Sequence, residues 1–123
     1  MAAPARNLHS GFLRSAERFP TRPALEVDGR VLSYDELRGG AARLAGLLSA
    51  HAPQDGAPLT AVFAYRSQVA FTGVLAALLR GHGYVPLNRT FPPARTALML
   101  QRSEASAVVV DAGSRPQLDE VLD

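Results

Sequence analysis

The chain has 123 residues, of which 47% are apolar and 20% charged, a globular composition that excludes an intrinsically disordered segment. The net charge is only +2, and all 13 basic residues are arginines scattered singly along the sequence, so we expect no nucleic-acid partner. The absence of cysteine excludes disulfides and thiolate metal sites, and no apolar run approaches the roughly 20 residues that span a membrane. We expect a cytoplasmic protein without a membrane partner, either one domain or a piece of a larger one.

The first predicted element is an amphipathic helix that has Asn7 as its N-cap and ends at Pro20. Its apolar face is made of Leu8, Phe12, Ala16 and Phe19. An amphipathic start that contains arginine is also typical of mitochondrial transit peptides, but Glu17 interrupts that pattern. We therefore interpret the segment as part of the domain.

A β-hairpin is predicted next, with strands at 24–27 and 30–32 around Asp28-Gly29. Asp-Gly is well suited to the positive φ angles that a type I′ turn requires. The two strands are therefore expected to pair directly with each other.

Residues 32–37 (LSYDEL) predict the start of a second helix. Ser33 can cap the third helical amide while Glu36 bonds back to the Ser33 amide, and Leu32 and Leu37 can pack as a hydrophobic staple. Glu36 can also be interpreted as a catalytic acid, but its place in this capping box favours the structural role. The apolar stripe of the helix continues through Leu37, Ala41, Leu44 and Leu48.

Three glycines, at 39, 40 and 46, lie inside this second helix. Each costs a helix roughly 1 kcal/mol relative to alanine. We expect close packing against a neighbouring backbone to explain them.

From Leu59 onward the sequence alternates between strand and helix patterns. Strands are predicted at 59–65, 84–87 and 107–110, and helices are predicted at 71–79 after a Ser67 cap, after Pro92-Pro93, and at 117–122. This alternation implies a parallel sheet with right-handed crossovers. The predicted fold class is α/β, with an N-terminal hairpin and helices that lead into a parallel βαβ layer.

Details of this layer follow from particular residues. Pro86 cannot donate to a sheet, so its strand is expected at an edge, whereas the β-branched run 107–110 is typical of a strand buried on both faces. Gly81 and Gly83 are expected to supply positive φ angles after the apolar helix 71–79, which should be buried on several sides. The inner side of the helix after Pro92 is predicted to consist of Ala94, Ala97, Leu98 and Gln101.

Few residues suggest chemistry. Gly81-His82-Gly83 follows a helix and precedes a strand, the reverse of the order in which a glycine loop holds a phosphate. The histidines at 9, 51 and 82 lack metal-ligand spacing, and His82 is the one of most interest because a strand begins beside it. Asp111 ends a parallel strand, where α/β folds place ligand contacts, although we favour its interpretation as a polar strand terminus. The residues by themselves indicate an α/β layer without an active site.

Two stretches resemble the opening motifs of adenylate-forming enzymes, especially the adenylation domains of nonribosomal peptide synthetases. Residues 32–37 are similar to the first core motif, L-[TS]-Y-x-E-L, and residues 78–88 (LLRGHGYVPLN) are similar to the second, L-K-A-G-x-A-Y-[VL]-P-[LI]-D. The connecting pieces agree in order and spacing, namely Arg66-Ser67, Pro92, Arg95, 98–100 and 107–110. Arg80, Asn88 and Arg89 depart from the pattern, which leaves the subfamily open.

The resemblance implies that residues 1–123 are the N-terminal portion of an adenylation domain. In this family the phosphate loop, the nucleotide contacts, the substrate pocket and the catalytic lysine lie downstream of both motifs, so no functional residue is carried over. We assign no catalytic, cofactor-binding or metal-binding residue here and expect the segment to be inactive alone. ATP and Mg²⁺ are implied for the complete enzyme.

The implied partners are the remainder of the enzyme, on the same or a separate chain, and a carrier protein with a phosphopantetheine thiol. We also expect exposed apolar surface that the rest of the enzyme covers. The alternative hypothesis is a stand-alone α/β module that binds a partner or has a regulatory role.

Overall fold

The computed structural model describes residues 9–27, 29–52 and 57–122. The elements in chain order are α1 (Ser10–Arg18), β1 (Pro23–Val27), β2 (Arg30–Ser33), α2 (Tyr34–His51), β3 (Ala57–Phe63), α3 (Gln68–Leu79), β4 (Gly83–Leu87), α4 (Pro93–Ser103), β5 (Ala105–Val110) and α5 (Arg115–Leu122). β1 and β2 form an antiparallel hairpin, whereas the other strands form a parallel sheet in the order β4-β3-β5. The predicted α/β class is confirmed.

The hairpin has the predicted connection. Val27 pairs with Arg30, which leaves a two-residue turn, and Gly29 in that turn has a φ of +74°. Asp28 and the predicted N-cap Asn7 lie outside the described residues. Within those residues α1 begins at Ser10, and it joins α2 through Phe12, whose ring centroid lies 5.8 Å from that of Tyr34.

The predicted capping box is present at the start of α2. Ser33 Oγ accepts a 3.1 Å hydrogen bond from the Glu36 amide, and the Ser33 amide donates one of 3.0 Å to Glu36 Oε1. The bond from the Ser33 amide and the bond with its side chain lower the pKa of Glu36. Leu32 and Leu37 are both buried at this turn, as the staple requires. These contacts show that Glu36 has the structural role, as part of the cap of α2.

The helices of the parallel layer cover opposite faces of the sheet. α4 and α5 pack on the face that includes Ala61 and Phe63, where Leu87 and Val121 complete a buried core. α3 lies on the other face, so close that a Cβ on Gly73 would come within 3.1 Å of Val109 Cγ1 and 3.3 Å of Val62 Cγ1. Successive residues of a strand point to opposite faces, which explains how neighbouring residues reach different helices.

The expectation of close packing at the glycines of α2 is wrong. Nothing lies within 4 Å of a Cβ built on Gly46, and the neighbours of Gly39 and Gly40 are side-chain atoms at 3.5 and 3.7 Å. A close approach does require a glycine at position 73, because α3 packs directly on the valines of the sheet there.

Two expectations about the strands need correction. β4, with Pro86, is at an edge as predicted, but β5 is at the other edge of the described sheet. Only Val109 of β5 is buried, so the expected burial of 107–110 on both faces is wrong for the described residues. Gly81 has the predicted positive φ, +76°, whereas Gly83 does not, and a Cβ there would lie 3.0 Å from Leu59 Cδ2.

The orientation of α4 also differs from the prediction. Thr96 is fully buried, and Ala97, Met99 and Leu100 pack against the core, while Leu98 is 45% exposed. Ala94 and Gln101 are exposed too. Apolar residues occur on more than one side of this helix, so contact with the core, rather than apolar content alone, sets its rotation.

The apolar helix α3 is buried on some of its sides. Gly73, Ala76 and Ala77 are buried, but Phe71 is 45% exposed. Among the residues that the structure describes, no helix combines the length and hydropathy needed to cross a membrane.

Candidate functional site

The candidate site is a crevice at the carboxyl ends of β3 and β5. The chain leaves β3 toward α3 on one face of the sheet and leaves β5 toward α5 on the opposite face. Adjacent parallel strands whose connections diverge in this way open a crevice, and α/β proteins bind ligands at such points. Here the crevice measures about 560 Å³ and is lined by residues 65–69, Arg89 and residues 111–113.

Asp111 forms one wall of the crevice. Its Oδ2 accepts hydrogen bonds from the Tyr65 amide (3.1 Å) and from Ser67 Oγ (2.8 Å), and its Oδ1 accepts one from the Ser114 amide (2.9 Å). Burial by itself would raise the pKa of Asp111, but the hydrogen bonds from Ser114, Ser67 and Tyr65 hold this pKa below its ordinary value. The carboxylate therefore joins the loop after β3 to the loop after β5.

Two arginines and a tyrosine form the rim. The Cζ atoms of Arg66 and Arg89 lie 5.3 and 5.0 Å from the centroid of the Tyr65 ring, at cation–π distance. Arg66 has a φ of +46°, a left-handed conformation that is uncommon for a residue with a side chain. A Cβ on Gly113 would lie 2.7 Å from Arg89 Nη1, so the glycine leaves room for that guanidinium. The rim is cationic and can attract anionic groups.

A second polar cluster lies at the opposite end of the sheet. Arg80 Nη1 donates a 2.9 Å hydrogen bond to Oγ1 of the fully buried Thr60, and this oxygen lies 3.2 Å from His82 Nδ1. Burial, and then the positive charge of Arg80, lower the pKa of His82. His82 precedes β4, so it belongs to the amino ends of the parallel strands, whereas Asp111 follows the carboxyl end of β5.

The structure does not bring the sequence candidates together. Glu36 caps α2, His82 contacts Thr60, and Asp111 lies in the crevice. His9 precedes α1 and His51 ends α2. Across residues 9–27, 29–52 and 57–122, no three histidine or acidic side chains are grouped so that they could hold a metal ion. The arrangement can position an anionic group, and we assign no reacting side chain to it.

Sequence reasoning missed the crevice residues Tyr65, Arg66 and Arg89. Arg66-Ser67 signalled only the start of a helix, and that part is confirmed, because Ser67 Oγ accepts from the Ala70 amide. Arg89 was noted only as a departure from a motif. Its approach to Tyr65 joins residues 24 positions apart, and no local pattern encodes that contact.

Residues 12–123 match the AMP-binding enzyme family. Among curated relatives, tyrocidine synthase 3 of Brevibacillus parabrevis is 36% identical over 104 residues, 85% of this chain and 2% of that protein. AMB antimetabolite synthetase AmbB of Pseudomonas aeruginosa is 38% identical over 120 residues, 95% of this chain and 9% of that protein. The chain thus spans less than a tenth of the length of either relative.

Solved structures show the same fold. IdnL7 aligns with 97% of this chain and 24% of its own, with a TM-score of 0.87 and 33% identity. The nonribosomal peptide synthetase FmoA3, in its α-methyl-L-serine-AMP-bound form, aligns with 96% of this chain and 14% of its own, with a TM-score of 0.84 and 28% identity. The α/β layer described above is thus the adenylate-forming fold, and the chain belongs to the AMP-binding enzyme family.

Proposed function

We propose that the chain is the N-terminal scaffold segment of an ATP-dependent enzyme that activates an amino acid, or a related carboxylic acid, as an acyl-adenylate. The observation that supports this most directly is the similarity of 96% of the chain to the FmoA3 structure with bound α-methyl-L-serine-AMP. The match to the AMP-binding family over residues 12–123 supports the same activity.

The contacts of the two motif regions support a scaffold role. In the first, the side chain of Glu36 is engaged at the start of α2 by the Ser33 amide. In the second, Gly81 ends α3 and Pro86 occupies edge strand β4. These residues build a helix start and a strand entry, and both are structural roles.

We place the binding of ATP and Mg²⁺ in the rest of the enzyme. The chain has no lysine, and the acid of its crevice, Asp111, is engaged by three hydrogen-bond donors of its own chain. Stabilisation of the negative charge that develops at the α-phosphate requires donors or cations fixed around that group. Of the crevice cations, Arg66 and Arg89 both lie at cation–π distance from Tyr65, and we propose that the segment alone is inactive.

The proposed partners are the remainder of the enzyme, on the same or a separate chain, and a carrier protein whose phosphopantetheine thiol receives the acyl group. The curated relatives support a larger assembly, since the matched segment is 2% of tyrocidine synthase 3 and 9% of AmbB. Which acid is activated depends on residues outside this segment.

A chimera tests the proposal. This chain replaces the matching segment of FmoA3, and amino-acid-dependent exchange of pyrophosphate into ATP is measured with α-methyl-L-serine. We expect the chimera to catalyse the exchange with the acid preference of the parent, because the substituted segment contributes only scaffold. The chain alone should give no exchange above a blank without protein.

Two results would contradict the proposal. A chimera that folds with the thermal stability of FmoA3 but shows no exchange would show that the chain cannot serve as this scaffold. Substrate-dependent exchange by the chain alone would show that it contains a nucleotide site.

A further inference from the structure

Two side chains of the second motif meet a buried threonine at the amino ends of the parallel strands. Arg80 Nη1 donates to Thr60 Oγ1 at 2.9 Å, and the same oxygen lies 3.2 Å from His82 Nδ1. Thr60 is fully buried in the central strand β3. Arg80 departs from the motif, and His82 occupies the position that the motif leaves variable. The cluster therefore belongs to this chain rather than to the motif.

Donor and acceptor chemistry fixes the direction of both hydrogen bonds. A guanidinium can only donate, so Thr60 Oγ1 is the acceptor in its bond with Arg80. The hydroxyl then has one proton to donate, and His82 Nδ1 is the acceptor within reach among the residues that the structure describes. If Nδ1 carried a proton, two donors would point at Thr60 Oγ1 and the buried hydroxyl proton would have no acceptor. Neutral His82 is therefore the tautomer with its proton on Nε2.

Protonation of His82 conflicts with this arrangement. An imidazolium donates from both nitrogens, so Nδ1 can no longer accept from Thr60. Burial first, and then the positive charge of Arg80, lower the pKa of His82. Of the elements around the ring, α3 contributes Arg80 at its C-cap and β3 contributes the neutral Thr60. Within residues 9–27, 29–52 and 57–122, neither His82 nor Arg80 is paired with a carboxylate that could offset the added charge.

The ring of His82 is attached to the turn that joins α3 to β4. The His82 amide donates a 3.0 Å hydrogen bond to the Ala77 carbonyl of α3, and Gly81 takes its positive φ in this turn. The next residue, Gly83, pairs with Leu59 at the start of the ladder between β4 and β3. The contact between the His82 ring and Thr60 thus holds the turn against β3 where β4 begins.

We propose that Thr60, Arg80 and His82 form a pH-sensitive switch, in which neutral His82 holds the turn between α3 and β4 against β3 and protonated His82 releases it. Arg80 is a positioning residue, because its fixed donor directs the Thr60 hydroxyl toward the ring. The lowered pKa of His82 means that the turn is held at pH 6.5 and above, and is released as the pH falls through the folded-state pKa. The inference does not depend on the proposed function, since none of the three residues lines the crevice.

NMR of the chain with ¹⁵N in its three histidines tests the hydrogen-bond arrangement. Long-range ¹H–¹⁵N spectra at pH 7.5 should show His82 as the Nε2–H tautomer. Thr60→Ser keeps the hydroxyl and should preserve this pattern, whereas Thr60→Val and Arg80→Met should admit the second tautomer. The His82 ring of Thr60→Val should also titrate at a pH at least about 0.5 higher than that of Thr60→Ser. A wild-type Nδ1–H tautomer, or equal titration of the two Thr60 variants, would overturn the proposal.

Amide hydrogen–deuterium exchange tests the release, and it needs no variant at Thr60. After correction for the intrinsic effect of pH on exchange, the amide of residue 82 should lose at least about threefold of its protection between pH 7 and pH 5. His82→Gln cannot take up a proton in this range and should keep its protection. The Asp111 amide, which donates to the Phe63 carbonyl at the other end of the sheet, reports unfolding of the whole chain.

Three results of this experiment would contradict the switch. One is equal protection of the wild-type amide of residue 82 at the two pH values. Another is an equal loss of protection in His82→Gln, which would mean that a different group titrates. The third is a parallel loss at the Asp111 amide, which would show that acid unfolds the chain as a whole and does not release the turn.

Discussion

Ser67 Oγ donates a 2.8 Å hydrogen bond to Asp111 Oδ2 and accepts one of 3.3 Å from the Ala70 amide. A single hydroxyl thus caps α3 and connects it to the end of β5, 44 residues away. Because the Tyr65 amide donates to the same carboxylate oxygen, the crevice between the two strands is held by one charged group. Its geometry should depend on the ionisation of Asp111.

The first prediction concerns Asp111 and pH. Its pKa in the folded chain is below the ordinary value of 3.8, so the carboxylate stabilises the fold fully above about pH 4, and this contribution is lost as the pH falls through the folded-state pKa. Asp111→Asn should cost about 1–3 kcal/mol at neutral pH, because it removes a buried charge that accepts hydrogen bonds. The free energy of unfolding, measured by urea denaturation between pH 3 and 7, provides the check.

The difference between wild type and Asp111→Asn should be constant above about pH 5 and shrink below pH 4. Asp119→Asn, at an exposed position in α5, is the matched control for loss of a surface carboxylate and should cost much less than Asp111→Asn at neutral pH. A difference that persists unchanged at low pH would mean that the charge of Asp111 does not stabilise the fold.

The second prediction separates a helix cap from a catalytic acid. Ser33→Ala should lower the free energy of unfolding by roughly 1 kcal/mol through loss of the N-cap. Glu36→Gln should have a smaller effect, because a glutamine at this position can still accept the bond from the Ser33 amide. Urea unfolding of the chain and pyrophosphate exchange by the chimera measure both. A large loss of rate in either variant at unchanged stability would show that the motif takes part in catalysis.

The third prediction compares two helical glycines. Gly73→Ala should destabilise the fold by about 1–3 kcal/mol, because the new methyl would press on Val62 and Val109. Gly46→Ala should stabilise it by about 0.5–1 kcal/mol, since α2 gains helix propensity and the site is open. Thermal and urea unfolding of both variants test the sign. Stabilisation by Gly73→Ala would mean that α3 does not rest on the sheet as closely as described.

The fourth prediction concerns His82. Its pKa in the folded chain is below the ordinary 6.5, so the unfolded chain binds the proton more readily, and the fold loses stability as the pH falls below about 6.5. His82→Gln should remove this part of the pH dependence. Arg80→Ala should weaken it but not abolish it, because burial still lowers the pKa of His82 while the repelling positive charge of Arg80 is lost. A pH profile from 5 to 8 that is the same for wild type and His82→Gln would contradict the lowered pKa.

Several features were determined by the sequence alone, and each depends on interactions within a few residues. The capping box needs only Ser33 and Glu36 three positions apart, and the hairpin needs a turn at 28–29 between two apolar segments. The alternation of strand and helix patterns after Leu59 was enough to predict the parallel layer, because hydrophobic periodicity is also a local property. The two motifs indicated the family for the same reason, because each is a short segment whose residues have a fixed spacing.

The tertiary structure decided what depends on residues far apart in the chain. The burial of β5 depends on which strand occupies the centre of the sheet, and that strand is β3. The crevice unites Tyr65, Arg89 and Asp111, and the close approach at Gly73 involves Val109 of a later strand. Neither composition nor periodicity contains these distances, because they arise only when β3 and β5 lie side by side in the sheet and their connections leave it on opposite faces. The edge positions of β4 and β5 in the described sheet follow from the same topology, since the order of strands and the hand of their crossovers are properties of the assembled sheet.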